Sequence, residues 1–406
     1  MMTDTAGPGT PDRGRARKKP VTRLGRSDRS ALGLWFWEID RVLLSLVIVL
    51  IAIGLIAVAA ASPAASHRYS DGGVQFAPLH YFWRQLGWVV LSVPVMLGVS
   101  MLPKQMARRM ALVGAAFFTA MLVLVPFIGV ETNGARRWIG VGIGQFQPSE
   151  FLKPMFVVSL AWLLSLKVQD KSLPVVPLSA LVLALIALLL MKQPDFGQTI
   201  MFGVMWMALL MISGVSSRIL GGLVGAGFLG IVGAYLFYPV ATLRIDNFLF
   251  EGGDTYQVDS AHATLTAGGL FGTGPGGGQM KFRLPEAHTD YIFSVIGEEF
   301  GLIACAVVAL LFLAIVVRVF VKLLDEEDSF TVLAAAGLTT QFGVQALINM
   351  AVNVHLAPSK GMTLPFISYG GSSMLALAIG MGLLLAFTRR NPYLTRSPYV
   401  VKWNGR

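Results

Sequence analysis

Charge is scarce in this chain. Of its 406 residues only 13% are Asp, Glu, Lys or Arg, while 55% are hydrophobic; soluble domains carry roughly 25% charged residues. So few charges cannot cover a globular surface, which excludes a water-soluble protein of this size. Cysteine is scarcer still. The single Cys305 excludes an intrachain disulfide, and its place in the apolar run 301–320 makes it a small packing residue. No internal repeat is evident, which weakly disfavours transporters built from detectable repeated halves. The stretch GTGPGGGQ (272–279) lacks the GK[ST] ending of a P-loop, so nucleotide binding there is discounted.

What the chain has in abundance is long apolar runs, with a mean hydropathy of +0.67. A bilayer core about 30 Å thick needs about 20 apolar residues per helix. The expected fold is an all-α integral membrane protein with about ten transmembrane helices, over 42–61, 82–101, 110–130, 151–166, 173–191, 198–213, 219–238, 291–321, 331–353 and 366–387. Segments four to six are short and closely spaced, which makes one of them a candidate for a broken or re-entrant helix. The expected organisation is a disordered basic tail over 1–41, a polytopic domain over 42–387 and a C-terminal tail over 388–406. Within the domain, one large loop, 239–290, joins spans seven and eight.

The net charge of +10 and the pI of about 9.8 raise nucleic acid as a partner, but the placement of the basic residues argues otherwise. With both termini cytoplasmic, roughly two thirds of the Lys and Arg residues fall on the inner side, as the positive-inside rule requires. The cluster RGRARKK (13–19) then reads as a topogenic segment facing anionic lipid rather than a nucleic-acid patch. AAASPAAS after the first span resembles a signal-peptidase site, but the apolar run is too long for a usual leader, so an uncleaved anchor is expected.

The outer side carries few basic residues, and half of them sit in NGARRWIG (133–140), QPSEFLKP (147–154), KQPDFGQT (192–199) and HLAPSKGMTLPFISYGGSS (355–373). Cations on the side that usually avoids them suggest an anionic ligand. Arg136, Arg137, Lys153, Lys192 and Lys360 are the candidates for charge-assisted bonds to phosphate-type oxygens. The plain alternative is snorkelling at helix ends, with Glu150 and Lys153 forming an i,i+3 pair.

The loop 239–290 is far longer than ordinary helix connections. Its segment YQVDSAHATLTAGGLFG has an apolar register suited to lying on or re-entering the membrane. It ends in PEAHTD, which delivers Glu286, His288 and Asp290 to the start of span eight. Asp290 there is either a helix cap or a functional carboxylate. Roughly 12 Å further along the same helix come Glu298 and Glu299. Adjacent carboxylates in a bilayer face protein or water and are functional or paired by default; the expectation is that one pairs with a basic residue such as Lys153 or Lys192 while the other lines a cavity.

NGARRWIG, QPSEFLKP, PDFGQT, LPEAHTDYIFSVIGEEFG and APSKGMTLPFISYGGSS, in this order, resemble the FtsW/RodA (SEDS) family from Val42 to Phe387. The basic N-terminal extension and the lysine of APSKG look like its division branch. The resemblance implies ten spans, cytoplasmic termini and a large outer loop between spans seven and eight. It implies a peptidoglycan glycosyltransferase that polymerises lipid II during septal cell-wall synthesis, located in the bacterial inner membrane at the division septum. The implied partners are lipid II, a monofunctional class B penicillin-binding transpeptidase and other divisome proteins, with no nucleic acid. The family's HTD[FY]IF motif places its catalytic aspartate at Asp290. Its other motifs fall on Arg137, Trp138 and Lys360, with Ser368 in the same loop; Arg136 beside Arg137 leaves open which guanidinium acts.

In that reading Asp290 is the general base that takes the proton of an attacking sugar hydroxyl, worth about 10² to 10⁴ in rate. Arg137 and Lys360, with Lys153 and Arg136, stabilise the diphosphate leaving group. Glu286 or Glu298 would raise the basicity of Asp290. No resident metal is expected with certainty, although a divalent cation at the pyrophosphate fits the chemistry. The alternatives are a lipid II flippase using the same cations and a non-catalytic divisome scaffold.

Overall fold

A computed structural model describes residues 31–70, 75–132, 135–140, 144–170, 172–249, 256–358 and 361–390. Residues 1–30 of the expected tail lie outside them, as do 391–406. Within the span of that expected tail, Ala31–Glu38 forms a helix, α1. Residues 39–390 form a separate body.

In that body the chain runs through α2 (Arg41–Tyr69), α3 (His80–Ser100), α4 (Lys104–Ile128), a hairpin of β1 (Val130–Thr132) and β2 (Ala135–Trp138), α5 (Pro148–Gln169), α6 (Val175–Lys192) and α7 (Phe196–Ile212). It continues through α8 (Ser217–Phe237), α9 (Pro239–Leu249), α10 (Tyr256–Ala267), α11 (Ile292–Leu323), α12 (Ser329–Asn353) and α13 (Gly371–Phe387). Eight of these helices, α2 to α6, α8, α11 and α12, are long and apolar enough to cross a membrane. The apolar helices α7 and α13 are shorter. Helices are the natural outcome here, because an apolar solvent leaves the backbone no partner except itself. The helix α5 is the centre, packed against α4, α6, α7, α12 and α13, while α13 also packs on α3 and α11 on α2.

Local signals set the helix starts. Asp40 caps α2, its carboxylate accepting from the N–H groups of Val42 and Leu43 at 3.1 Å. Asp195 caps α7 through Gln198 N–H, and Asp328 caps α12 through Thr331 N–H, each satisfying an orphan donor of the first turn. Several helix ends differ from the hydropathy reading, among them the start of α4 at Lys104 rather than 110. The helix α2 continues to Tyr69 through SPAASHRY, a polar stretch that carries no span signal. The helix α13 starts at Gly371 rather than near 366, because Phe366 takes a left-handed conformation (φ 62°) that a helix cannot include.

The broken helix is not among α5, α6 and α7 but is α11. At Gly301 the backbone turns to φ 84°, ψ 172°, leaving a half-helix from Ile292 and a long helix beyond. The glycine-rich loop after α10 repairs the gap. Leu302 and Ile303 N–H donate to the carbonyls of Gly269 and Leu270 at 3.0 and 3.3 Å, and the carbonyls of Glu298 and Glu299 accept from Thr273 and Gly274 N–H at 2.8 and 3.0 Å. Backbone groups freed by a break must find such partners away from water. The approach is so close that a Cβ on Gly272 would lie 2.2 Å from the Glu299 carbonyl oxygen. Glycine there is a steric requirement. Among the described residues of the expected long loop 239–290, Pro239–Leu249 and Tyr256–Ala267 form α9 and α10, and the segment after α10 packs into the break of α11.

Candidate active site

Strand geometry separates two neighbouring arginines. In the antiparallel hairpin Arg136 pairs with Glu131, and successive side chains of a strand point to opposite faces. Arg136 forms a half-exposed ion pair with Glu131 at 3.4 Å. Arg137 turns inward, donating from Nε to the Gln193 carbonyl at 3.1 Å and from Nη2 to the Pro194 carbonyl at 2.5 Å. Two of its five N–H donors thus join the hairpin to the QPD turn before α7, and the guanidinium also lines a cavity.

The QPSEFLKP motif supplies a further part of the wall, with Gln147 and Glu150 lining the same cavity. Pro148 sits in the first turn of α5, where its missing N–H costs nothing, and Glu150 and Lys153 lie one turn apart on the buried side. Lys153 Nζ donates to Glu150 Oε1 at 2.9 Å and to Gln345 Oε1 at 3.1 Å, and Gln198 Nε2 donates to the same Glu150 oxygen at 2.7 Å. Gln345 passes the chain on to the Thr363 carbonyl at 3.1 Å. Lys153 does not line the cavity. It stands behind Glu150, which does.

Asp290 ends the PEAHTD turn, and each carbonyl of His288, Thr289 and Asp290 has its own donor. Tyr369 N–H reaches the His288 carbonyl at 2.8 Å, and Ser368 Oγ reaches that of Thr289 at 2.6 Å. Asn349 and Asn353 Nδ2 reach that of Asp290 at 2.8 and 3.1 Å. The half-buried Asp290 side chain faces the cavity and lies close enough to Gly361 that a Cβ there would be 3.4 Å from Asp290 Oδ2. Glu286 accepts from Tyr69 Oη and Thr289 Oγ1, both at 2.8 Å. His288 is buried among the rings of Tyr69, Tyr81 and Tyr369, and its Nδ1 has no hydrogen-bond partner among the described residues. Desolvation pushes its pKa down to about 4, against the opposing pull of the Glu286 charge. Burial pushes the Tyr369 phenol up, and the positive charge of Arg84 opposes that rise.

These elements enclose a cavity of about 560 Å³, in the size range of ligand sites, lined by Asp290, Glu286, Thr289, Arg137, Trp138, Glu150, Asp195 and Gln198, together with residues of the loop before α13. The structure brings together Asp290, Arg137, Trp138 and Glu286. Arg136 faces away from it, and Lys360 lies outside the described residues. Ser368 does not line it either: its hydroxyl is spent on the Thr289 carbonyl and on Leu364 N–H at 2.7 Å, which fixes the loop. Arg84 and Trp88, on the first turns of α3, line the cavity as well, and no motif pointed to them. The only sequence signal for Arg84 is a charge inside an apolar span, which must face protein or water. Among the described residues, no group of three or more His, Cys, Asp or Glu is placed to hold a metal ion.

Glu298 is the clear correction. It is absent from the cavity wall and accepts from the N–H groups of Met280 and Lys281 at 2.6 and 2.9 Å. Beside it Lys281 Nζ pairs with Glu299 and donates to the Ala60 carbonyl at 2.9 Å. The partner of the adjacent carboxylates is thus Lys281, eighteen residues upstream, rather than Lys153 or Lys192. Nothing in the spacing marked that lysine, because it reaches Glu299 only when the loop folds back into the break of α11.

The profile of the cell cycle protein family FtsW/RodA/SpoVE matches residues 40–393. The probable peptidoglycan glycosyltransferase FtsW of Caulobacter vibrioides is 40% identical over 375 residues, covering 91% of this chain and 94% of that protein. Its counterpart in Nitrosomonas europaea is 33% identical over 373 residues, covering 87% and 94%. Among solved structures, a chain of a peptidoglycan synthase complex that coordinates polymerisation and crosslinking superposes with a TM-score of 0.70 at 26% identity, over 86% of this chain and 97% of that one. The rod shape determining protein RodA of Thermus thermophilus superposes with a TM-score of 0.64 at 26% identity, over 86% and 96%. With the profile spanning all but the two ends and relatives aligned along nearly their whole length, this chain belongs to the FtsW/RodA/SpoVE family of cell cycle proteins.

Proposed function

We propose that this protein is a peptidoglycan glycosyltransferase that polymerises lipid II into glycan strands for septal wall synthesis, with Asp290 as general base. The observation that carries the reading is that Asp290 and Arg137 line one cavity of about 560 Å³, in a chain whose relatives bear that activity in their names. The 4-hydroxyl of one sugar attacks the anomeric carbon of another; the new C–O bond forms as the bond to the polyisoprenyl diphosphate breaks. The hydroxyl proton passes to the Asp290 carboxylate, and the electron pair leaves on the diphosphate. Arg137, held in place by the carbonyls of Gln193 and Pro194, offers its remaining N–H groups to the developing charge, where a preorganised donor is worth most. Trp138 and Glu150 shape the same wall, and Lys360 is proposed as a further cation. Among the described residues no cluster of three or more His, Cys, Asp or Glu would hold a divalent cation at the diphosphate, and no step is assigned to one.

The cavity belongs to the outer face of the inner membrane in this proposal, with α7 and α13 completing ten spans and both termini cytoplasmic. The support is the excess of Lys and Arg at the opposite ends of the helices, as the positive-inside rule requires. A class B transpeptidase and other divisome proteins are the proposed partners at the septum. The flippase reading rested in part on Glu298 and Glu299 as free intramembrane carboxylates. Both are occupied by the loop and Lys281, so that support is gone. The test is lipid II polymerisation by wild type and Asp290→Asn, each with and without the transpeptidase. A loss of about 10² to 10⁴ in rate with lipid II binding retained is expected; an Asp290→Asn protein polymerising at the normal rate would end the proposal.

A further inference from the structure

The Asp290 carbonyl is held by donors from elsewhere in the chain, and one of these also holds a second wall of the cavity. Asn349, 2% exposed, donates from Nδ2 to the Asp290 carbonyl at 2.8 Å and to the Met362 carbonyl at 2.7 Å. Both acceptors are carbonyl oxygens, so the amide nitrogen must face them. One turn on, the fully buried Asn353 donates to the Asp290 carbonyl at 3.1 Å, and its Oδ1 accepts from Ser294 N–H and Oγ at 3.1 and 2.8 Å. Asn353 therefore ties Asp290 to the half-helix of α11. Asn349 ties it to the loop before α13, whose Gly361, Thr363 and Tyr369 line the cavity.

We propose that Asn349 is a positioning residue for the polymerisation reaction, bridging the Asp290 and Met362 carbonyls so that the carboxylate and the loop before α13 hold one relative register. It touches no substrate. The inference rests on the reading of Asp290 as the base, and it assigns the setting of that base to a side chain outside the sequence motifs. A reacting group displaced by about 1 Å loses on the order of 10²-fold in rate, while binding made by the rest of the cavity is little affected. An Asp at position 349 reverses the interaction: as a carboxylate it places acceptors against two carbonyl oxygens, and when protonated it regains one O–H donor.

The experiment measures kcat and KM for lipid II polymerisation by the full-length protein with its transpeptidase, for wild type, Asn349→Asp and Asn349→Leu. Both variants are expected to lose about 10² in kcat with KM within about threefold of wild type. The ratio of Asn349→Asp to wild type should rise at least about fivefold from about pH 8 to about pH 6, since burial brings the new carboxyl's titration upward into that range. Asn349→Leu should show no such recovery. Parallel pH profiles for the two variants, or a loss confined to KM, overturn the proposal. If Asn349→Asp does not assemble, Asn349→Ser, which keeps one donor, must still show the kcat loss at near-normal KM. An Asp290→Ala background separates this inference from the reading beneath it. There Asn349→Leu should add almost nothing, because residues acting as a unit are non-additive, and a full additive loss removes the positioning role. A normal rate for Asp290→Asn removes the base itself.

Discussion

The ammonium of Lys153 lies 2.9 Å from the Glu150 carboxylate, with the lysine side chain 1% exposed and that of the glutamate 9%. Removing one partner of a buried pair leaves an uncompensated charge, worth about 3–5 kcal/mol. Lys153→Met should therefore lower the unfolding midpoint sharply. Glu150→Gln combined with Lys153→Met should recover most of that stability without restoring polymerisation, because Glu150 lines the cavity. Thermal unfolding and lipid II turnover on the same preparations check both halves; a double variant with full activity would show that the pair serves folding alone.

The hairpin makes a sharper claim about two adjacent cations. Arg137→Ala should reduce polymerisation by about 10² or more, the scale for losing one preorganised donor to developing charge. Arg136→Ala removes only a surface pair with Glu131, worth about 1 kcal/mol or less, and should leave turnover within about threefold. Equal losses at the two positions would contradict the inward and outward assignment.

Lys281 and Glu299 should behave as a structural pair. Lys281→Met alone leaves Glu299 buried without its counter-charge and should destabilise by about 3–5 kcal/mol. Lys281→Met with Glu299→Gln should regain much of it. The half-helix between Asp290 and the Gly301 break depends on this clasp, so hydrogen exchange of residues 268–274 should rise in the single variant. Unchanged exchange there would mean that the backbone bonds at the break suffice.

His288 adds a pH dependence. Its pKa stands at about 4 in the folded protein, against about 6.5 unfolded. Between those values the unfolded chain binds more protons, so stability is full above about pH 6.5 and falls as pH drops toward about 4, by at most about 1.4 kcal/mol per pH unit. The unfolding midpoint of wild type should decline across that window, and His288→Phe should flatten the decline. A slope unchanged by the substitution would assign it to other groups.

Much of the site was legible in the motifs, and the remainder failed for identifiable reasons. Asp290, Arg137, Trp138 and Glu286 come from segments flagged in the sequence and line one cavity. Lys153 was flagged for a charge that the fold instead spends on Glu150, and Ser368, named for its place in the Lys360 loop, spends its hydroxyl on the Thr289 carbonyl. Arg84, Asn349 and Lys281 were missed because single polar residues near helix ends or in a loop carry no periodic signal.

Composition by itself determined that this is a helical membrane protein, and where most of its helices run, because transfer of apolar side chains from water is nearly additive along a chain. The outer motifs likewise identified the segments that would meet around Asp290. Tertiary structure alone decided which member of each adjacent pair does what. The strand pleat turned Arg137 inward and Arg136 outward. The break at Gly301 gave Glu298 to the loop backbone and Glu299 to Lys281. Arg137, Glu298 and Glu299 find their partners 17 or more residues away in the chain, and such directional, long-range partners leave no trace in local hydropathy.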